Sequence, residues 1–167
     1  MNSQELRALQ APIKEAYRKH PESALATSRV EVSLEPATVA VRLAADRPRA
    51  AGLHPATGGT GAAACSADML LESLAACGGV TLLAVATATG VALNGGRISA
   101  EGLWDARDTL AVDKTVPVGL QHIKLHFELD GPADPAVRER LVRTAERYCV
   151  ILQTLRASTS VEVPIGA

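Results

Sequence analysis

From Cys65 to Leu93 the chain reads CSADMLLESLAACGGVTLLAVATATGVAL, its longest apolar stretch. Met69, Leu70, Ser73, Leu74, Cys77, Val80, Thr81 and Ala84 recur at offsets of three and four. That spacing is one face of an α-helix, with Cys77 in its middle. Ser66 is placed to cap the start, because its oxygen can accept a bond from an otherwise unpaired backbone N–H. After Asp68 only Glu72 is charged, so the helix is expected to be enclosed on nearly every side. The 21 uncharged residues from Ser73 to Leu93 are also long enough to cross a bilayer. Their richness in Ala, Gly and Thr, with no basic cluster beside them, favours the core helix of a soluble domain.

The pattern around this helix changes period several times. Residues 3–20 read as a helical arm with Ser3 as cap and a stripe of Leu6, Leu9, Ile13 and Tyr17, kinked at Pro12. From Ser28 to Ala44 apolar and polar positions alternate, which predicts a hairpin with one face on a core. Residues 46–61, DRPRAAGLHPATGGTG, are expected to be loop; Gly58, Gly59 and Gly61 match neither common phosphate-binding spacing. Asn94-Gly95-Gly96 supplies turn chemistry after the long helix. Ile98–Asp105 reads as a strand and residues 105–117 as a polar excursion. Across 119–130, Gln121, Ile123, Leu125, Phe127 and Leu129 alternate with His122, Lys124, His126 and Glu128, a clear strand. Asp134-Pro135 starts a helix, with Val137, Leu141, Ala145, Tyr148 and Leu152 as its buried stripe to about Gln153. A short final strand is expected over Ser160–Ile165. Helices and strands so irregularly interleaved define the α+β class. The division expected is an N-terminal helical arm (1–24) and one domain (25–167).

Composition narrows the partners. The 167 residues are 47% apolar but only 2% aromatic, and net charge is −1, so neither nucleic acid nor an anionic membrane is an electrostatic match. The start, MNSQELRALQ, lacks the basic and apolar blocks of a secretory signal. A cytoplasmic location follows as the expectation, with the three cysteines read as thiols.

Candidate chemistry is sparse. Ser/His/Asp order, paired carboxylates, CxxC and HExxH are all missing from the sequence. His122 and His126, on one strand, stand about 13 Å apart at ~3.3 Å per residue and cannot share an ion. Cys77 and Cys149 remain, each on or beside an apolar helix face. A facing pair of thiols can cycle between dithiol and disulfide, given one low-pKa sulfur as attacker and a second to resolve the sulfenic acid. Two small buried hydrophobes would give the same pattern, and spacing alone leaves both readings open. Cys65, at the helix N-terminus, is either an alternative nucleophile or a small residue in a tight turn.

LLESLAACGGVTL resembles the core-helix motif of the OsmC/Ohr family of organic hydroperoxide reductases, and YCVILQTL followed by a valine-rich segment is similar to that family's second cysteine motif. The resemblance covers roughly residues 25–165. It implies an OsmC/Ohr-like α+β fold, with antiparallel sheets around a long central helix and an intertwined homodimer with active sites at its interface. It implies Cys77 as peroxidatic and Cys149 as resolving sulfur, an organic hydroperoxide as substrate, a dithiol as reductant, and neither metal nor bound organic cofactor.

Three positions depart from the family pattern. Ser66 and Ala67 stand where the family usually has Pro-Glu, whose glutamate orients a thiolate-stabilising arginine. Glu72 and Asp68 do not replace it, since at ~100° per residue they point about 140° and 180° away from Cys77. Gly78 stands where peroxide-reducing members often have an aromatic residue, and Val150 where a proline is usual. A mid-helix cysteine in apolar surroundings needs a compensating cation, for which Arg29, Arg42, Arg47 and Arg49 are candidates. The missing glutamate motivates an alternative: a non-catalytic protein of this fold that binds a hydrophobic small molecule at the dimer interface. A third reading is metal capture by the cysteines with His54, His122 or His126.

Overall fold

The computed structural model describes residues 2–5, 7–8, 11, 19, 31–35, 40–44, 50–109, 114–115, 117–131 and 134–165, with 31–35, 40–44 and 107–108 described by backbone alone. Its elements are β1 (Glu31–Glu35), β2 (Ala40–Ala44), β3 (Ala50–Gly52), β4 (Ala64–Cys65), α1 (Ser66–Thr89), β5 (Gly95–Leu103), α2 (Ala106–Thr109), β6 (Gln121–Asp130), α3 (Pro135–Tyr148) and α4 (Val150–Arg156). The class is α+β. Contacts divide the chain into two compact units, Arg7–Glu72 with Ala100–Lys124, and Met1–Leu6 with Ser73–Ser99 and Leu125–Ala167.

In the first unit the strand order is β1-β2-β3-β4. The predicted hairpin is present: β1 and β2 are antiparallel, from Glu31 opposite Ala44 to Glu35 opposite Ala40. Residues 46–61 are not all loop. Ala50–Gly52 pairs antiparallel with β2 and parallel with β4, Gly52 standing opposite Cys65. Three residues are too short for a hydrophobic period to reveal them. Beyond β3 the chain makes a 3-10 turn at Pro55–Thr57, where the His54 ring accepts a bond from the Ala56 N–H. Proline at the first helical position fits that turn, since its missing N–H has no partner to lose. Trp104 meets the His54 ring edge-on at 5.0 Å.

The second unit holds most of α1, and its burial differs from the predicted stripe. The buried residues are Leu74, Gly78, Leu82 and Ala86, one position round from Cys77. Gly78 and Gly79 explain the rotation. A Cβ at Gly78 would lie 3.3 Å from Leu125 and 3.5 Å from Phe127, and one at Gly79 would lie 3.4 Å from Ile98. Leu125 and Phe127 of β6 and Ile98 of β5 therefore lie against helix positions that have no side chain, a preference that counting apolar residues overlooks. Leu82 and Ala86 join Leu141 and Ala145 of α3 in the core. The helix is long and apolar enough to cross a membrane, yet it lays one face on α3 as a core helix does. Within one chain it is not enclosed on every side: Val80 is 69% and Leu83 58% exposed.

Helix α1 stops at Gly90, earlier than Asn94-Gly95-Gly96. Gly90 has a left-handed φ of 72°, its N–H reaches the Thr87 carbonyl, and the Val91 N–H reaches that of Ala86. These two hydrogen bonds satisfy the Ala86 and Thr87 carbonyls in the last turn of the helix, and the turning point favours glycine. Asn94 instead begins the next pairing, donating to Asp130. On β6 the predicted alternation holds: Gln121, Ile123, Leu125, Phe127 and Leu129 are half-buried, while His122, Lys124, His126 and Glu128 are exposed.

Asp134 caps α3 as expected, accepting from the Ala136 N–H at 2.8 Å. The helix does not run on to Gln153, however; it breaks at Cys149 and restarts as α4. Tyr148 is consequently 60% exposed rather than part of the buried stripe. The expected final strand is also absent. Residues 157–165 contain no strand, and Val161, Val163 and Ile165 are all exposed. Their alternation suits a strand, but a strand forms only against a partner, and among the described residues none pairs with it.

At the N-terminus, Asn2 caps the helix in place of Ser3. Its side chain accepts from Glu5 N–H and the Glu5 carboxylate accepts from Asn2 N–H, the reciprocal arrangement of a capping box. The stripe of Leu6, Leu9, Ile13 and Tyr17, and the kink at Pro12, lie outside the described residues.

Candidate active site

The break in the second motif begins with local sequence. Tyr148, Cys149, Val150 and Ile151 are aromatic, thiol and β-branched residues in succession, none a strong helix former. Cys149 adopts φ −72°, ψ 106°, an extended conformation between two helices. Its N–H still donates to Ala145, closing α3, and its carbonyl accepts from the Gln153 N–H, opening α4. In an unbroken helix the Val150 N–H would go to the Glu146 carbonyl and the Ile151 N–H to that of Arg147. The break frees both donors. The Glu146 carbonyl is taken up by the Gln153 side-chain amide at 2.7 Å, and Arg156 pairs with the Glu146 carboxylate at 3.8 Å across the same gap.

The freed amides face Cys77. Burial pushes the Cys77 thiol up, but hydrogen bonds from the Ile151 N–H, the Cys149 thiol, the Thr81 hydroxyl and the Val150 N–H outweigh it, and its pKa falls below a thiol's ordinary value. Cys149 moves the opposite way. Burial raises it most, and the partner sulfur raises it further, by accepting its proton bond and by repulsion once charged; the Leu152 and Ile151 N–H groups only partly offset this. Cys149 is 1% exposed and Cys77 half-buried. Two sulfurs far apart in sequence thus share one hydrogen bond, and Cys77 is the one that ionises first.

Other candidates fall elsewhere. Cys65 lies on β4, paired with Gly52. Of the arginines, Arg29, Arg47 and Arg49 lie outside the described residues, as does the side chain of Arg42 on β2. Among the described residues, no group of three or more His, Cys, Asp or Glu forms a metal cluster. Sequence reasoning missed the roles of Thr81 and of the two amides. Thr81 was legible, one turn beyond Cys77 on the same helix; the amides were not, because nothing in the apolar period announces the break.

Two departures from the family pattern acquire physical reasons. No aromatic residue fits at Gly78, because Leu125 and Phe127 already occupy that space. Val150 sits at the first position of α4 after an extended residue, the geometry that also suits proline. A separate open groove of about 490 Å³ is lined by Phe127, Leu129 and Val142 together with charged residues of α3; neither cysteine lines it.

A long helix against a two-stranded sheet and a broken helix, each helix bearing a cysteine that influences the other, makes an α+β protein. The family model for OsmC-like protein matches residues 59–164, and the chain belongs to that family. No curated protein sequence matches it. Solved structures match in fold. An OsmC-like protein from Mycoplasma pneumoniae superposes with a TM-score of 0.67 at 18% identity, over 80% of this chain and 89% of that one. An organic hydroperoxide resistance protein OsmC from Legionella pneumophila gives 0.63 at 18% identity, over 79% and 92%. An organic hydroperoxide resistance protein from Elizabethkingia anophelis gives 0.62 at 13%, over 80% and 91%.

Proposed function

We propose that this protein is a thiol-dependent peroxidase that reduces organic hydroperoxides through a Cys77/Cys149 dithiol–disulfide cycle. What supports this reading is that Cys77 on α1 and Cys149 at the α3–α4 break act on each other in opposite senses, donors drawing the Cys77 thiol down while burial and the partner sulfur push Cys149 up. The Cys77 thiolate attacks the terminal oxygen of R–O–O–H; a sulfur–oxygen bond forms and the oxygen–oxygen bond breaks. The alkoxide leaves and takes up a proton as an alcohol, and the sulfur, oxidised by two electrons, becomes a sulfenic acid. Cys149 then attacks that sulfur, forming the disulfide and expelling water. A dithiol reductant restores both thiols by exchange. Leu125 and Phe127, packed on the neighbouring Gly78, favour an alkyl or aryl peroxide over hydrogen peroxide.

A homodimer in the cytoplasm is the working form on this reading. Its support is apolar surface left open on one chain, Val80 and Leu83 on α1 and Val161, Val163 and Ile165 in the tail. Burying each such side chain contributes roughly 1.5–3 kcal/mol. Light scattering should report a dimer, and the double substitution Val80→Lys, Leu83→Lys a monomer.

The direct test is consumption of cumene hydroperoxide with dithiothreitol. Cys77→Ser should abolish it. Cys149→Ser should leave a Cys77 sulfenic acid that dimedone traps, with recycling lost. A second reading, a non-catalytic protein that binds a hydrophobic small molecule, rests on the groove lined by Phe127, Leu129 and Val142. Absence of turnover together with stoichiometric binding of an apolar dye, lost on Val142→Glu, would favour it instead.

A further inference from the structure

A helix that breaks in mid-sequence leaves carbonyls on the near side of the break in need of new partners. At Cys149 the break is a rotation about one bond: φ stays near the helical range at −72°, and ψ alone departs, to 106°. Returning ψ to about −42° would bring the Val150 N–H back to the Glu146 carbonyl and make α3 and α4 one rod. Gln153 stands in the way. Its side-chain amide donates to the Glu146 carbonyl at 2.7 Å, the acceptor that Val150 has lost. In a continuous helix residues seven apart are separated by about 10 Å of rise, so this bond belongs to the bent chain. The backbone of Gln153 is fixed as well: its N–H donates to the Cys149 carbonyl at 3.0 Å, and its carbonyl accepts from the Ala157 N–H at 3.0 Å. Arg156 also reaches the Glu146 carboxylate, at 3.8 Å, but both partners are exposed to solvent and the pair contributes little. Cys149 at the pivot is buried, whereas Gln153 is exposed and acts through its bond rather than through packing in the core.

We propose that Gln153 is a positioning residue for Cys149: its amide occupies the carbonyl that would otherwise reclaim the Val150 N–H, and so holds the chain bent at Cys149. One carbonyl has two candidate donors, and the donor that wins sets the backbone of Cys149. With the Gln153 amide in place, Cys149 is the pivot of an elbow. With Val150 in place, it is one more residue in mid-helix, fixed by the ladder on both sides. Closing a disulfide requires the two Cα atoms within about 7 Å and the side chains aimed at each other, which an elbow can adjust and an unbroken helix resists. This consequence rests on the dithiol cycle proposed above; the effect on the backbone does not.

The test compares the full-length wild type with two variants. Gln153→Met keeps the unbranched chain and removes the donor; Gln153→Lys keeps a donor. All three residues have nearly equal helix propensity, so a difference between them is not one of intrinsic preference. The Cα chemical shift of Cys149 in the reduced protein reads the backbone. The Cys77–Cys149 disulfide, equilibrated in glutathione redox buffers, reads the effective concentration of one thiol at the other. Gln153→Met should move the Cys149 shift toward its helical value and lower the effective concentration about fivefold, the scale of one neutral hydrogen bond. Gln153→Lys should restore both. An unchanged Cys149 shift in Gln153→Met, or an equal displacement in Gln153→Lys, would overturn the proposal, and so would a displaced shift with an unchanged disulfide equilibrium. A wild-type protein that leaves cumene hydroperoxide unconsumed, with the Cys149 shift displaced in Gln153→Met and restored in Gln153→Lys, would instead overturn the peroxidase reading and leave this one standing.

Discussion

The middle turn of α1 and the junction between α3 and α4 each present a sulfur to the other, and they are built in opposite ways. Cys77 sits in an unbroken helix whose own amides are spent on its own carbonyls. Cys149 sits where a helix has been interrupted, so the amides that follow it are unspent. The sulfur lowered in pKa is the one without local donors, because the broken element lends its amides across the gap. The buried sulfur at the break keeps its proton and donates it. An intact helix holds a nucleophile rigidly but cannot stabilise its charge, and a break stabilises charge at a cost in helix. Divided between two elements, each task is met without the other's penalty.

The comparison breaks most sharply at Cys77→Ser. If Cys77 is the nucleophile, peroxide turnover should fall to background, on the order of 10⁴-fold or more as for other enzymes that lose their nucleophile. Cys65→Ser should leave turnover intact, since Cys65 takes no part in the pair.

The next largest effect is expected at Gly78. Gly78→Phe places a ring where Leu125 and Phe127 lie against α1, and overpacking of this kind costs about 1–3 kcal/mol or more. Urea denaturation should show it as a lowered midpoint at unchanged slope. An unchanged midpoint would mean that the strands do not approach the helix here.

Labelling against pH sharpens the contrast between the sulfurs. At any pH below its pKa, a thiol whose pKa is lowered carries more thiolate, so Cys77 should label at lower pH than a simple thiol. Cys149, raised, should label only at higher pH, and its burial slows it further. Between the two lies a window in which only Cys77 reacts. Simultaneous labelling would show that the junction does not distinguish them.

The smallest effect is expected at Val150→Pro. Cys149 already has the extended backbone that a following proline requires, so stability should hold or rise by about 0.4–1 kcal/mol. The substitution also deletes the weakest of the donors to Cys77, so the Cys77 labelling profile should shift slightly upward. Loss of folding would mean that the junction is not built as described.

How much of this was legible in the sequence depends on what each element rests on. The hairpin at 31–44, the strand at 121–130 and the capped start at Asp134-Pro135 announced themselves by period and by cap. The family was legible through the resemblance of the two cysteine-bearing segments, and the family model matches residues 59–164. The face of α1 that is buried was not, because its position is set by two residues with no side chain, Gly78 and Gly79. The break at Cys149 was also hidden: Tyr148 and Leu152 continue the apolar period straight through it. The tail from Ser160 to Ile165 has the alternation of a strand, but pairing is a property of two segments and one segment cannot disclose it. The donors to Cys77 followed the break into obscurity, while Thr81 stood in view as an ordinary member of the helix.

The central claim is that Cys77 and Cys149 close on each other when Cys77 is oxidised. The reduced protein treated with one equivalent of cumene hydroperoxide, quenched with iodoacetamide and digested without reductant, tests it directly by peptide mass spectrometry. The account predicts a peptide pair joined between Cys77 and Cys149 in most chains, with Cys65 carbamidomethylated. Cys77 and Cys149 recovered as separate carbamidomethyl or sulfonic acid peptides, with no joined pair, would contradict it.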